Sequence, residues 1–277
     1  MLRLIESSIA SIEQQLVLVA PPQASFDGFK NVSNDSTERT RLIHEMQTLR
    51  GSIYLEEGNV KRRELTADGR HVTSEDDKSW HLLMTDEAGH VRSCALYLLH
   101  ENATSIQDLR LRHCPLVKRA ASRTQVKFAV ESEIARARRA DLRFAELGGW
   151  AISKDRRGTP EGLMMALATY GLSRMLGGAL GITTANVAHS CSSILRRLGG
   201  AYLEFEGAPI PSYFDPRYNT EIDLLKFDSR APSQKYAELI ELVMGKLAKV
   251  SVVGRSVETM FDEFDASRDL IQPVYAA

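Results

Sequence analysis

Cysteine is scarce: Cys94, Cys114 and Cys191 are the only three in 277 residues. They stand far apart without CxxC or CxxH spacing, which excludes a disulfide framework or thiolate zinc site and fits a reducing compartment. No metal is expected. Long apolar runs are also missing. The N-terminal segment carries Glu6 and Glu13 inside its apolar pattern, so it reads neither as a signal peptide nor as a membrane span. A cytoplasmic protein is expected. Charge of one sign is absent as well, with a formal net charge of −1, which argues against general polyanion binding. One basic run, Lys118 to Arg143, lacks the interleaved aromatic residues of a single-strand groove, so no nucleic-acid partner is expected.

What remains is an ordinary globular composition, 43% apolar and 26% charged. The length suits one core of about 200 residues with extensions. The expected division is an N-terminal helix and connector over 1–34, a core over 35–230 and a C-terminal helical extension over 231–277. Leu2, Ile5, Ile9, Ile12, Leu16 and Val19 recur at three- and four-residue steps, which predicts one helix that Pro21-Pro22 stops. Asp35-Ser36-Thr37-Glu38 is a capping cluster opening a second helix. Trp80 to Met84 and Val91 to Leu99 read as a hairpin around Asp86-Glu87-Ala88-Gly89, and a helix is expected from Leu116 to Ala140. Strands then alternate with helices, which predicts a mixed α/β sheet.

The informative stretch runs from Ala145 to Gly200. A strand, Ala145 to Ser153, leads through Arg156-Arg157-Gly158 into a helix with Thr159 as cap and Pro160 as first residue. A parallel strand, Ala179 to Ala185, and a second helix ending at Leu198-Gly199-Gly200 follow. A basic glycine turn at a helix N-terminus offers N–H groups, a dipole and arginine charge to a phosphate. A plain β–turn–α connection has the same outline.

This order of elements resembles the acyl-CoA-binding core of GNAT acyltransferases. Their turn R-G-x-G-x-G appears as Arg157-Gly158-Thr159-Pro160-Glu161-Gly162, with Pro160 in place of a glycine, and their closing L-G-F as Leu198-Gly199-Gly200. Where many members have a tyrosine that protonates the departing thiolate, this chain has Leu195. Within the family, Glu146-Leu147-Gly148-Gly149-Trp150-Ala151 is similar to the E-x-S-R-F-A strand of acyl-homoserine lactone synthases. Leu49-Arg50 with Ile53-Tyr54 is similar to their L-R-x-x-V-F element, and Asp76-Asp77 before Trp80-His81-Leu82-Leu83 to their acidic segment. The related N-acyl amino acid synthases share this layout. Gly149 stands where the lactone synthases have an arginine, and a second expected arginine is missing near Leu96.

The resemblance implies a mostly antiparallel mixed sheet with a central parallel strand pair that splays apart, flanked by helices, with helical extensions at both ends. Pantetheine would lie in the splay, where Gly148-Gly149 suits a bulge. Trp150, Ala151 and Ile152 would face the thioester, Arg157, Gly158 and Gly162 the phosphate, and Arg50, Tyr54, Gly148 and Gly149 the acceptor. Glu146, in a strand with apolar neighbours, is the candidate general base, with a structural carboxylate as the competing role; His189 is the alternative base. Cys191 reads as a packed helix residue rather than a nucleophile.

Pro160 removes a donor from the phosphate turn and Glu161 adds a negative charge, which favours an acyl carrier protein over CoA as donor. Carrier proteins of the family are acidic, and the run from Lys118 to Arg143 is basic; a solvated helix face would look the same. The expected activity is N-acyl transfer from a pantetheine thioester to an amine, an amino acid above all. A lactone-type autoinducer synthase and a non-catalytic binding module of the same fold are the alternatives.

Overall fold

Four consecutive apolar residues, Leu16-Val17-Leu18-Val19, fit a helical stripe and a buried strand equally well, and packing decides for the strand. In the computed structural model, which describes residues 2–101, 104–188 and 190–255, helix α1 (Leu2–Gln15) ends there and β1 (Leu16–Val19) begins. The helix expected through Val19 is therefore four residues shorter, because these residues are needed inside a sheet. Strand β2 (Asn31–Ser33) and helix α2 (Ser36–Glu56) follow, with the Asp35 carboxylate accepting the Thr37 and Glu38 N–H groups as cap.

The hairpin β3 (Trp80–Thr85) and β4 (Val91–His100) turns where expected, with Gly89 at φ +82° and Asp86 accepting from the Ala88 and His90 amides. The long helix is divided at Arg119, whose extended backbone separates α3 (Pro115–Lys118) from α4 (Ala120–Arg139). Next come β5 (Arg143–Ile152), α5 (Glu161–Met175), β6 (Ala179–Asn186) and α6 (Cys191–Arg197). Pro160 sits one place earlier than expected, at the cap of α5, and the Thr159 hydroxyl accepts the Glu161 N–H. Short strands β7 (Ala201–Tyr202), β8 (Glu204–Phe205), β9 (Ala208–Pro209) and β10 (Tyr213–Asp215) lead to β11 (Thr220–Asp228). Helix α7 (Gln234–Leu247) and β12 (Ser251–Val253) close the described part. The stretch past 231 thus includes a strand as well as the expected helix.

Among the described residues one sheet runs β10-β11-β6-β5-β4-β3-β1-β12-β2, with β7 beside β11; β8 and β9 pair separately. Pairing is antiparallel except for β5 with β6, β1 with β12 and β12 with β2. The expected mostly antiparallel sheet with a central parallel pair is present. Side chains alternate across it. Leu18, Leu82, Tyr97, Ala145 and Leu147 pack under α1, α5 and α7. On the opposite face Leu83, Cys94 and Ala151 meet α2, while Phe144, Ile182 and Leu224 meet α4. The gap between α2 and α4 leaves the middle of β5 uncovered by helix.

Close packing at the β5–β6 pair leaves no room for even a methyl group at Gly181. A Cβ there would stand 2.3 Å from the Ala145 carbonyl oxygen and 2.4 Å from Phe227 Cζ. Gly181→Ala should lower stability by about 2–3 kcal/mol, read as a fall in melting temperature. Gly245, exposed near the end of α7 with open space around it, is the control: Gly245→Ala should raise stability by about 0.5–1 kcal/mol.

Candidate active site

The parallel pairing of β5 and β6 runs from Arg143–Ala179 to Leu147–Thr183 and stops, although both strands continue. The Thr183 hydroxyl closes it by donating to the Leu147 carbonyl oxygen at 3.2 Å. The cause lies in the next two residues. On its other side β5 pairs Gly148 with Leu96 but Ala151 with Cys94, so one extra residue is accommodated around Gly149 and Trp150. Gly149 takes φ +63°, and a Cβ there would touch Leu96 Cβ at 3.0 Å. An L side chain would strain this bulge. Beyond it the facing edges of β5 and β6 have no strand between them.

The splay opens into a cavity of about 720 Å³. Its wall gathers eleven of the twelve residues named from the sequence. From α2 come Arg50 and Tyr54; from β5, Glu146, Gly148, Gly149, Trp150, Ala151 and Ile152; from the following turn, Arg157 and Gly158; and from the start of α5, Gly162. His189 lies outside the described residues. Leu195 and Ile194 of α6 and Ile182 of β6 supply apolar wall. The Trp150 indole N–H is buried without a partner among the described residues, a spare donor beside the cavity.

Glu146 does not sit in the apolar setting expected of it. Its Oε2 accepts the Arg110 backbone N–H at 2.8 Å and faces His100 Nε2 at 3.0 Å; its Oε1 accepts the Leu111 N–H at 3.1 Å. Three of a carboxylate's roughly four acceptor sites are taken, leaving one on Oε1. The group therefore holds the 105–114 segment against β5. That segment was missed in the sequence because its short 3₁₀ turns have no periodicity.

Arg50 is 2% exposed and forms an ion pair with Asp76 at 2.7 Å, while donating to the His71 carbonyl oxygen. Burial opposes ionisation of Asp76, yet Arg50 and the donors Gln47 Nε2, Thr73 N and Thr73 Oγ1 prevail, holding its carboxyl at about 2. Burial, reinforced by Arg50 and Arg110, brings His71 down to about 4, so its ring is neutral near pH 7. Burial also raises the Tyr54 phenol, which stays protonated. At the turn, Arg157 pairs with Glu57 of the α2 C-cap, a partner with no sequence signal because the two are 100 residues apart. Glu161 accepts from the Ser93 hydroxyl at the start of α5. Burial pushes the Cys191 thiol up to about 12, against a nucleophilic role.

No family model and no curated protein matches the chain. Among solved structures, a CoA-dependent acyl-homoserine lactone synthase, BjaI, with SAM and isopentyl-CoA, is 14% identical with a TM-score of 0.55. The match covers 90% of this chain and 97% of that one. The chain has the GNAT-like fold. The same synthase with MTA gives equal figures: 14% identity, TM-score 0.55, and 90% and 97% coverage. FeeM, an N-acyl amino acid synthase from uncultured soil microbes, is 11% identical over 70% of this chain and 87% of its own, with a TM-score of 0.45. In this GNAT-like fold the splay, the bulge and the basic turn meet at one cavity. No helix among the described residues is long and apolar enough to cross a membrane.

The Arg50–Asp76 pair makes a stability prediction. Asp76→Asn leaves a buried guanidinium without its counter-charge and should cost about 3–5 kcal/mol in chemical denaturation. The Asp76 carboxyl is depressed in the folded state, so its contribution is present above its ordinary value of 3.8 and disappears as pH falls through about 2. That part of the wild-type acid transition should be absent from Asp76→Asn.

Proposed function

We propose that the chain is a cytoplasmic N-acyltransferase, moving an acyl group from a phosphopantetheine thioester to the amine of an amino acid. The observation that carries this reading is the end of β5–β6 pairing at Leu147–Thr183 beside a 720 Å³ cavity. Pantetheine is an extended chain of amides. An unpaired strand edge is the surface on which such a chain can lie, hydrogen-bonded as a strand would be. Ala151 turns its N–H toward Cys94 of β4, so Trp150 and Ile152 are the backbone donors offered to the thioester, with Arg157, Gly158 and the α5 N-terminus toward the phosphate.

The amine nitrogen attacks the thioester carbon, and its proton goes to the remaining acceptor site of Glu146 Oε1. The tetrahedral oxyanion then collapses, the carbon–sulfur bond breaks, and the products are an amide and a thiol. Leu195 is buried at the cavity wall and provides no acid for the sulfur. The departing thiolate takes from Glu146 the proton that the amine gave up, which restores the carboxylate. Glu146→Gln should therefore lower turnover about 100-fold or more, with donor binding nearly unchanged. Because the substitution also disturbs the Arg110 and Leu111 contacts, a melting curve accompanies the assay. Unchanged turnover at saturating acceptor in a folded variant removes Glu146 from the proton transfer.

Glu57 and Glu161 both place negative charge at the phosphate turn, which a single phosphate tolerates better than a pyrophosphate. This favours an acyl carrier protein over CoA as donor. The eight basic residues from Lys118 to Arg143 are exposed, but Arg136, Arg138 and Arg139 stand where α4 turns back into β5. The ten residues of β5 separate them from the phosphate turn, about 30 Å. A docked carrier protein would use the other end of α4. Glu57→Gln releases Arg157 and should lower KM for both donors several-fold, more for acyl-CoA. Equal or weaker donor binding would show that Arg157 does not meet the phosphate.

The activity itself is tested by thioester consumption with acyl-CoA and acyl-carrier protein, across amino acids and S-adenosylmethionine, with products identified by mass spectrometry. An N-acyl amino acid is expected. A lactone from S-adenosylmethionine would move the reading to an autoinducer synthase. No consumption would leave the binding-module alternative.

A further inference from the structure

Five arginines line the cavity: Arg50, Arg110, Arg156, Arg157 and Arg217. Four are balanced by carboxylates. Arg50 faces Asp76, Arg157 faces Glu57, Arg217 faces Asp215, and Arg156 lies 3.6 Å from Asp155. Arg110 differs. Its backbone N–H is held by Glu146, but its guanidinium has no carboxylate or carbonyl partner among the described residues. A half-buried cation whose five donors are left unpaired beside a cavity is arranged for an anion that comes and goes.

The position of that guanidinium is defined by a glycine. A Cβ on Gly148 would stand 2.4 Å from Arg110 Nη1 and 3.4 Å from Arg110 Cζ. The fork therefore lies against the bare backbone of β5 at the splay. Glu146 and Gly148 are two residues apart on one strand and share a face, about 7 Å apart. The same few ångströms thus hold one free carboxylate acceptor site and one unpaired guanidinium. The donor phosphate is not the anion in question, because its turn begins beyond Ile152, four strand residues and about 13 Å further along.

The geometry points to Arg110 as the residue that binds the carboxylate of the amino-acid acceptor. This rests on the acyl-transfer reading of the cavity. An α-amino acid carries amine and carboxylate on one carbon, so it can place the amine toward Glu146 while its carboxylate takes the Arg110 fork in two parallel hydrogen bonds. Gly148 then has a reason beyond the bulge: any side chain there would occupy the site of the guanidinium.

The test measures acceptor binding without a donor, by calorimetry, using glycine, L-leucine and L-tyrosine, each against its carboxamide. Wild-type protein should prefer at least one free acid over its amide by tenfold or more. Arg110→Gln should abolish that preference, Arg110→Lys should keep a part of it, and Gly148→Ala, which displaces the fork without altering it, should weaken it. Melting curves identify any variant that fails to fold, and Arg110→Gln retains the backbone N–H that Glu146 accepts. Wild-type indifference to the carboxylate, or the same preference in folded Arg110→Gln, overturns the assignment. Acyl transfer by wild type that treats acids and amides alike refutes Arg110 and leaves the acyl-transfer reading standing. Carboxylate binding lost in Arg110→Gln, with no thioester consumed by wild type, refutes the acyl-transfer reading instead.

Discussion

The structure depends on one interrupted ladder. Five residues of β5 pair with β6, and then the bulge at Gly149 turns the backbone away. Without that interruption the two strands would remain bonded, the sheet would be continuous, and no space would open between α2 and α4. The interruption leaves strand edges unpaired in the middle of a protein, a state that costs free energy unless something polar fills it. Lining a cavity, that edge can be satisfied by water or by a ligand that hydrogen-bonds like a strand.

Charge is distributed around the opening by the same logic. Buried Arg50 is neutralised by Asp76 and also donates to the His71 carbonyl, so it fixes the shape of α2 against the 71–76 segment. Arg157 is moderated by Glu57, so the basic turn after β5 keeps a counter-charge of its own. Among the described residues, Arg110 alone of the lining arginines is left without one. Glu146 connects these parts, because the carboxylate that lines the cavity also accepts the amides that hold Arg110 in place. Removing its charge would therefore disturb this architecture together with the proton transfer proposed for it, and separating the two effects requires a binding measurement beside the rate.

The sequence made the parallel strand pair, the hairpin at Gly89 and the basic turn legible, because each has a local cause. Turn residues, caps and alternation act within a few positions. It misled at Leu16 to Val19, where four apolar residues satisfy both periods and only the vacancy between β3 and β12 chooses the strand. It misled again at Glu146, whose sequence neighbours are apolar but whose spatial neighbours are N–H groups from residues 110 and 111.

By itself the sequence determined where backbone freedom is needed and where a basic glycine turn precedes a helix: Gly148-Gly149 for the bulge, and Arg157-Gly158 for the turn. It also determined that Arg50, Tyr54 and Glu146 belonged with them, through a resemblance in motif rather than any local force. Only the tertiary structure decided which charges are spoken for. Asp76 reaches Arg50 across 26 residues, Glu57 reaches Arg157 across 100, and Arg110 reaches Gly148 from a segment without pattern. Coulomb and hydrogen-bond energies depend on distance in space, and the chain records only distance along itself.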